Sequence, residues 1–286
     1  MDLCFYEQQL HNMLNDFYVL TGISTSIYNL EQEVTYCTAD FPQYCQTVRQ
    51  FQQCFKLNED ACRKAARCGH AVSYCCPAGL CETVLPIFFG PVLAGYFVFG
   101  QCVDREEIYA DRNVMEEFCR KHQLDVQKMA EKRAQLPILD TQKRNAMIRF
   151  ADIMIHTMLE HNMILPREDD RRAAVIRYLD ENYQKPLTVQ ELCRVFFISR
   201  SDLYKLFSNA GLTPHEYLGK LRMEKAKQLL ETTSLSLTEI AEQVGIGNYN
   251  YFIRAFRRTY QTSPGKYRRG HSLGEEFSDI SLHKDK

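Results

Sequence analysis

The sequence has no tryptophan, and it lacks any uninterrupted apolar run that reads as a membrane helix. Its longest uncharged stretch, residues 83–103 (TVLPIFFGPVLAGYFVFGQCV), is nominally long enough to span a bilayer. Pro86, Gly90, Pro91 and Gly95 lie inside it, however, and they punctuate it as a soluble β-hairpin with strands LPIFF and LAGYFVFGQ and a Gly90-Pro91 turn. The opening segment MDLCFYEQQLHNML lacks the basic start and apolar centre of a secretory signal, so none is expected. A cytoplasmic location follows, where thiols stay reduced and no disulfide framework forms. Also missing is any C-x2-C pair. The cysteines of residues 54–81 run C-x7-C-x5-C-x6-C-C-x4-C, which matches no usual zinc framework.

What is present is a globular composition: 286 residues, 45% hydrophobic and 25% charged, enough for two domains with separate cores. The net charge of −1 hides an asymmetry. Residues 1–165 carry 15 basic and 20 acidic side chains, residues 166–270 carry 18 and 12, and residues 271–286 carry 2 and 4. The basic segment is therefore the one suited to a polyanion. Cysteine divides the same way: eleven of the twelve precede residue 166, and only Cys193 follows.

Along the front half, residues 3–20 read as an amphipathic helix, ISTSIYN and EVTYC as strands, 43–68 as helical, and HAVSYCC and CETVLPIFF as strands. The hairpin is expected to end near Gln101, with helix dominating from Asp104. A helix over 138–164 carries Met147, Ala151, Met154 and Met158 at four-three-four spacing. That seam suits either packing on its own domain or a dimer contact. LPREDDRR (165–172) reads as a linker, because Pro166 ends a helix and the charges favour water. The stretch after Gly270 reads as a flexible tail.

The back half contains a repeat. TVQELCRVFFISRSDLYKLF (188–207) and SLTEIAEQVGIGNYNYFIRAF (236–256) each open with a capping-box pattern, Thr188-x-x-Glu191 and Ser236-x-x-Glu239. Each continues through a short apolar helix, a tight turn and a second helix, the order of a helix-turn-helix. Thr213-Pro214-His215-Glu216 opens a helix between them that fixes their spacing. These residues, above all IAEQVGI and YFIRAFRRTYQTSPGKYRR, resemble the DNA-binding domain of the AraC/XylS family of transcription regulators over about residues 171 to 269. The resemblance implies that the two second helices enter successive major grooves. By position, Arg200, Ser201, Tyr204 and Lys205 of the first, and Tyr249, Asn250, Ile253 and Arg254 of the second, would then face bases. Arg and Lys suit guanine edges, Asn suits adenine, and an apolar side chain suits the thymine methyl. Arg257, Arg258, Lys266, Arg268 and Arg269 would reach phosphates. Phe197 stands where the second unit has Gly245. If that turn needs positive φ, the first turn should differ in shape.

In the front half, Cys62-Arg-Lys, YCCPAGL (74–80), LPI (85–87), Gly95 and Gly100-Gln101 resemble the PocR sensory domain, a PAS-like small-molecule-binding fold. Three readings of the thiols stand side by side. They are small buried apolar side chains. Alternatively, Cys62 and Cys76 line a ligand pocket with Tyr74, Tyr96 and Gln101. The third reading is a metal or redox site drawn from Cys54, Cys62, Cys75, Cys76 and Cys81, with Arg63, Lys64 and Arg67 lending positive charge. Aromatic side chains with few charges over 83–103 point to a small ligand that is not strongly charged.

The expected fold is an α+β PAS-like sensory domain (residues 1–165, an antiparallel sheet flanked by helices), an all-α domain with two helix-turn-helix units (166–270), and a tail (271–286). The expected function is a ligand-responsive, sequence-specific regulator whose partners are double-stranded DNA and an unidentified small-molecule effector, with no certain cofactor and no membrane. RNA polymerase is implied by the resemblance, and a homodimer by the resemblance and the Met seam. The alternative is a metal- or thiol-redox-responsive regulator. An enzyme with a cysteine nucleophile finds no support, because no local signature pairs a Cys with His11, His70 or His122.

Overall fold

A computed structural model describes residues 3–39, 41–106, 112–208 and 211–271. Of the expected tail, residues 272–286 lie outside that range. The chain divides into two compact units, residues 1–174 with 195–198, and residues 175–194 with 199–286.

The first unit runs β1 (Leu3–Phe5), α1 (Glu7–Thr21), β2 (Thr25–Tyr28), β3 (Val34–Cys37), α2 (Gln43–Val48), α3 (Gln52–Cys68), β4 (Val72–Cys75), β5 (Cys81–Phe89), β6 (Val92–Asp104), α4 (Arg112–Lys121), α5 (Val126–Ala134), β7 (Ile138–Leu139), α6 (Thr141–Glu160) and β8 (Ile164–Pro166). Five strands form an antiparallel sheet in the order β3-β2-β6-β5-β4, and β7 adds to β6 in parallel. The hairpin expected around Gly90-Pro91 forms, with Gly90 at φ +61°. It is longer than the sequence suggested, because β6 continues past Gln101 to Asp104. The centre of β6 is buried on both faces, which is why it lacks strict alternation. Tyr96 and Val98 pack with Cys62 and Ala65 of α3 and with Val84. Phe99 meets Phe17 of α1, ring centroids 6.2 Å apart.

Three expectations need correction. Residues 3–20 are not one helix, because Leu3–Phe5 pairs antiparallel with Ile164–Pro166. The helix expected over 138–164 is shorter. Asp140 caps it, its carboxylate accepting from the Lys143 N–H at 2.7 Å, and short strands flank it. Residues 165–172 are no linker. Pro166 is a paired strand residue, and the charge run opens α7 (Glu168–Asn182), whose acidic first turn suits a helix N-terminus.

The second unit continues with α8 (Val189–Val195), α9 (Arg200–Ser208), α10 (Pro214–Thr232), α11 (Leu237–Gln243), α12 (Tyr249–Tyr260) and α13 (Pro264–His271). Helix α10 packs against α9, α11, α12 and α13 and so joins the repeated pairs. Its Arg222 donates to the carbonyls of Tyr183 and Lys185, each at 2.8 Å. Around the second pair, Met223, Ala226 and Leu230 of α10 bury against Ile240, Val244, Phe252 and Phe256. Among the described residues, no helix is long and apolar enough to cross a membrane.

Candidate sensory cavity and DNA-binding surface

The first unit holds a cavity of about 410 Å³, lined by the sheet, α2 and α3. Its walls combine Tyr28, Phe41, Tyr44, Val48, Leu80 and Val98 with the polar groups of Ser24, Ser26, Arg49, Asn58, Glu82 and Gln101. A β-bulge lies in its lining. Cys81 pairs with Cys102 and Glu82 with Gly100, so Gln101 is the extra residue, and its φ of +60° turns it out of the ladder. Ser24 Oγ donates to Gln101 Oε1 at 3.5 Å. A Cβ on Gly100 would lie 2.6 Å from the Glu82 Cα, so the close pairing of the two strands here requires glycine.

Glu82 is the only charged residue between Arg67 and Asp104. Its carboxylate accepts from the Tyr74 hydroxyl at 2.6 Å, and that hydroxyl also lies 3.2 Å from Asn58 Oδ1. Burial pushes the Glu82 carboxyl above its ordinary range, against the hydrogen bond from Tyr74 and the charge of Arg49, which pull it down. The Arg49 guanidinium carbon sits 3.6 Å from the centroid of the Phe41 ring.

Of the pocket residues read from sequence, Cys76 and Gln101 line the cavity, and Tyr74 reaches it through its bond to Glu82. Cys62 and Tyr96 do not line it. They are buried beside Ala61, Ala65, Val72 and Val84. The residues missed were Tyr44, Arg49, Asn58 and Glu82. The lone charge in a strand-rich run was a signal for Glu82, and the count of uncharged residues began one position after it.

The metal and redox alternative is not supported. Among the described residues, no three His, Cys, Asp or Glu side chains group as a metal site. Cys76 packs with Cys45 and Cys119 in one cluster, while Cys62 lies in another; the side chain of Cys54 lies outside the described residues. Burial pushes the Cys62 thiol up to about 12 and the Cys75 thiol to about 11, and raises Cys76 well above the ordinary range. Such thiols stay protonated and unreactive. The hydrogen bond with Cys102 pulls the Cys81 thiol the other way, below the ordinary range, but Cys81 is buried and out of reach of solvent. Arg63 is engaged by Glu59 and Asp60 at 2.8 and 3.2 Å. Among the histidines weighed as bases, His11 meets the Tyr36 hydroxyl and His122 packs against the Phe51 and Phe118 rings, which also meet each other. His70 lies 3.4 Å from the sulfur of Cys68, with both residues exposed.

In the second unit, local sequence explains each helix start. Ser236 and Thr213 make full capping boxes with Glu239 and Glu216, and Thr188 Oγ1 accepts from the Glu191 N–H at 3.1 Å. Ser199 and Asn248 cap α9 and α12, at 3.1 and 2.9 Å. On α9, Arg200, Ser201 and Lys205 are exposed and Tyr204 half-buried; Leu203, Leu206 and Phe207 face inward. On α12, Tyr249, Asn250 and Arg254 are exposed, Ile253 is half-buried, and Phe252, Ala255 and Phe256 face inward. Tyr249, Asn250, Ile253 and Arg254 share one surface concavity with Lys266 and Arg269 of α13. Arg257 and Arg258 are exposed, whereas Arg268 is half-buried with Nε and one terminal nitrogen shielded from solvent. The turns do not differ as expected: Phe197 has φ +50° and Gly245 has φ +76°.

The family model described as the sensory domain found in PocR matches residues 4–163. The chain belongs to the PocR sensory-domain family. A helix-turn-helix domain model matches residues 192–270, and this part is AraC-type. The chain is 22% identical over 284 residues to the regulatory protein PocR of Salmonella typhimurium, covering 91% of this chain and 92% of that one. It is 42% identical over 95 residues to the raffinose operon regulator RafR of Pediococcus pentosaceus, covering 33% of this chain and 34% of that protein. Among solved structures, the C-terminal domain of the response regulator AraT of Geobacillus stearothermophilus matches 40% of this chain and 95% of its own, at 30% identity and a TM-score of 0.36. This PocR-type chain is a transcriptional regulator with an AraC-type DNA-binding domain.

Proposed function

We propose that the chain binds specific duplex DNA through α9 and α12, and that a small molecule held in the 410 Å³ cavity biases that binding. The observation that carries the reading is the pairing, in one chain, of a cavity whose lining mixes aromatic and aliphatic side chains with polar groups and two capped helices whose outward faces bear Arg, Lys, Tyr and Asn. Arg200, Ser201, Tyr204, Lys205, Tyr249, Asn250, Ile253 and Arg254 read bases. Arg257, Arg258, Lys266 and Arg269 hold phosphates, with Arg268 contributing its exposed edge. The effector acts only through its difference in affinity between two states of the protein. RNA polymerase is the further partner that the AraC resemblance implies.

The working form is a homodimer. Met147, Ala151, Met154 and Met158 are buried within the chain, so the seam is not the contact. The outward face of α6 is the better candidate. Phe150 and Ile153 are 49% and 60% exposed there, and Phe150 stacks on Phe17 of α1, where Val19 and Leu20 are 71% and 80% exposed. Exposed Arg149 and Asp152 on the same helix suit a two-fold contact, in which each meets its opposite across the axis.

The test is selection of bound duplexes from a random pool by the full chain, followed by titration. Arg254→Ala should cost about 1–3 kcal/mol at one base position, while Arg258→Ala should weaken selected and random duplexes alike. Selection that enriches no sequence would overturn the reading.

A further inference from the structure

In the sequence, an acidic stretch follows directly on the basic surface of the second unit. The concavity that Tyr249, Ile253 and Arg254 of α12 share with Lys266 and Arg269 of α13 also includes Leu237, and among the described residues its lining holds no carboxylate. Its three cations are exposed. Arg269 stands two residues before the end of α13 at His271, and the chain continues as SLGEEFSDISLHKDK (272–286). We propose that residues 275–279 (EEFSD) dock in this concavity and so compete with DNA for α12. Glu275, Glu276 and Asp279 meet the cations, and Phe277 lies against Leu237, Tyr249 and Ile253. The proposal rests on α12 facing DNA.

Reach and charge both fit. Phe277 is six residues past His271, and an extended chain covers about 3.3 Å per residue, so Phe277 reaches about 20 Å from the end of α13. The eight-residue helix is itself about 12 Å long, so Lys266 near its start and Arg269 near its end both lie within that radius. Residues 275–279 carry three acidic side chains and no basic one, against three basic and no acidic in the concavity. Phe277 stands among those acids. Tyr249, 42% exposed, and the half-buried Leu237 and Ile253 offer an aromatic ring the apolar surface it needs.

Tethering makes a weak contact sufficient. Exposed ion pairs contribute little each, so as a free peptide the segment would bind this surface weakly. Joined to α13 by a few residues, it is present at an effective concentration of millimolar order. A contact with a free-peptide dissociation constant of about 1 mM is then closed in about half of the molecules or more. The apparent affinity for DNA falls in proportion to the fraction left open. Because the contact is largely ionic, it loosens as salt screens it. A separate partner with the same acidic and aromatic groups lacks this advantage, since it would have to reach millimolar concentration free in solution.

The experiment uses the full chain with Phe277→Trp, which gives a protein without tryptophan a single one. Without DNA, its emission should be blue-shifted from that of tryptophan in water. It should move to the red on adding duplex DNA, on raising salt to about 0.5 M, or when Lys266→Gln and Arg269→Gln are combined with it. In the parent background, Glu275→Gln with Glu276→Gln and Asp279→Asn should raise affinity for selected and random duplexes alike by about three- to tenfold at low salt. That gain should shrink below about twofold at 0.5 M salt. Phe277→Ser should also raise affinity although it changes no charge, which separates docking from long-range repulsion between the acidic segment and DNA. A tryptophan emission like that in water under every condition, or no gain from Phe277→Ser, would overturn the docking and leave the DNA-facing surface standing. Emission that depends on protein concentration would place the segment on a second copy and overturn the contact within one chain. A blue-shifted emission that reddens with the Lys266 and Arg269 variants, in a protein that binds no duplex, would keep the docking and sink the reading of α12 as a DNA surface.

Discussion

At the scale of single residues, two positions are set by backbone geometry and one by burial of charge. Gly245 lies at φ +76°, and a Cβ there would fall 2.5 Å from the Gln184 carbonyl oxygen. Gly245→Ala should therefore cost about 2–3 kcal/mol in chemical denaturation of the DNA-binding unit. Phe197 holds the equivalent turn at φ +50° without glycine, so the left-handed turn alone does not demand one. The approach of the 183–184 backbone does. Glu82 gives a prediction in pH. Its carboxyl titrates above the ordinary range because it is buried, so the folded protein holds that proton more tightly than the unfolded chain. The stability this proton contributes is complete below the ordinary carboxylate pKa and is lost as pH rises through the raised value. Without ligand, Glu82→Gln should melt higher than the parent protein at pH 7, and the gap should close on acidification below the ordinary carboxylate pKa. A lower Tm for the variant at pH 7 would mean that the ionised group is already well paired.

At the scale of elements, α6 is held to the sheet by a buried ion pair. Arg144 and Asp104 of β6 meet at 3.3 Å with side chains 3% and 0% exposed, and Arg144 also donates to Thr141 Oγ1 at 2.9 Å. Arg144→Ala strands a buried carboxylate and should cost about 3–5 kcal/mol, whereas Arg144→Met with Asp104→Leu should recover most of it. This contact was not legible in the sequence, because 40 positions separate partners that carry no local signature. The same limit explains which elements were foreseen. Capping boxes, the Gly90-Pro91 turn and the repeated apolar spacing are local, and they marked the helix-turn-helix pairs and the hairpin correctly. Leu3–Phe5 was read as helix because its strand partner, Ile164–Pro166, lies at the other end of the unit. The cavity was half legible for a similar reason. Cys76, Tyr74 and Gln101 stood in the stretch that carried the resemblance, whereas Arg49, just after α2, and Asn58 of α3 are brought to the cavity only by the fold.

At the scale of the whole molecule, charge is segregated: net −5 over residues 1–165 against +6 over residues 166–270. The acidic part repels a polyanion, so affinity for DNA must come from local contacts of the basic part, and it must fall with salt by counterion release. About five phosphate contacts per protomer give a slope of about −4 to −5 for log K against log salt when one protomer binds, and about twice that for a dimer. Measuring the slope on a selected duplex therefore reads the oligomeric state directly. Ile153→Asp, placed on the outward face of α6, should halve it and remove the concentration dependence of Tm that dimerisation gives, while the protomer still folds, because that side chain is 60% exposed and packs little within its own protomer. A slope near −4 in the parent protein that Ile153→Asp does not alter would mean that one protomer binds alone, and that the apolar face of α6 serves something other than a second copy of the chain.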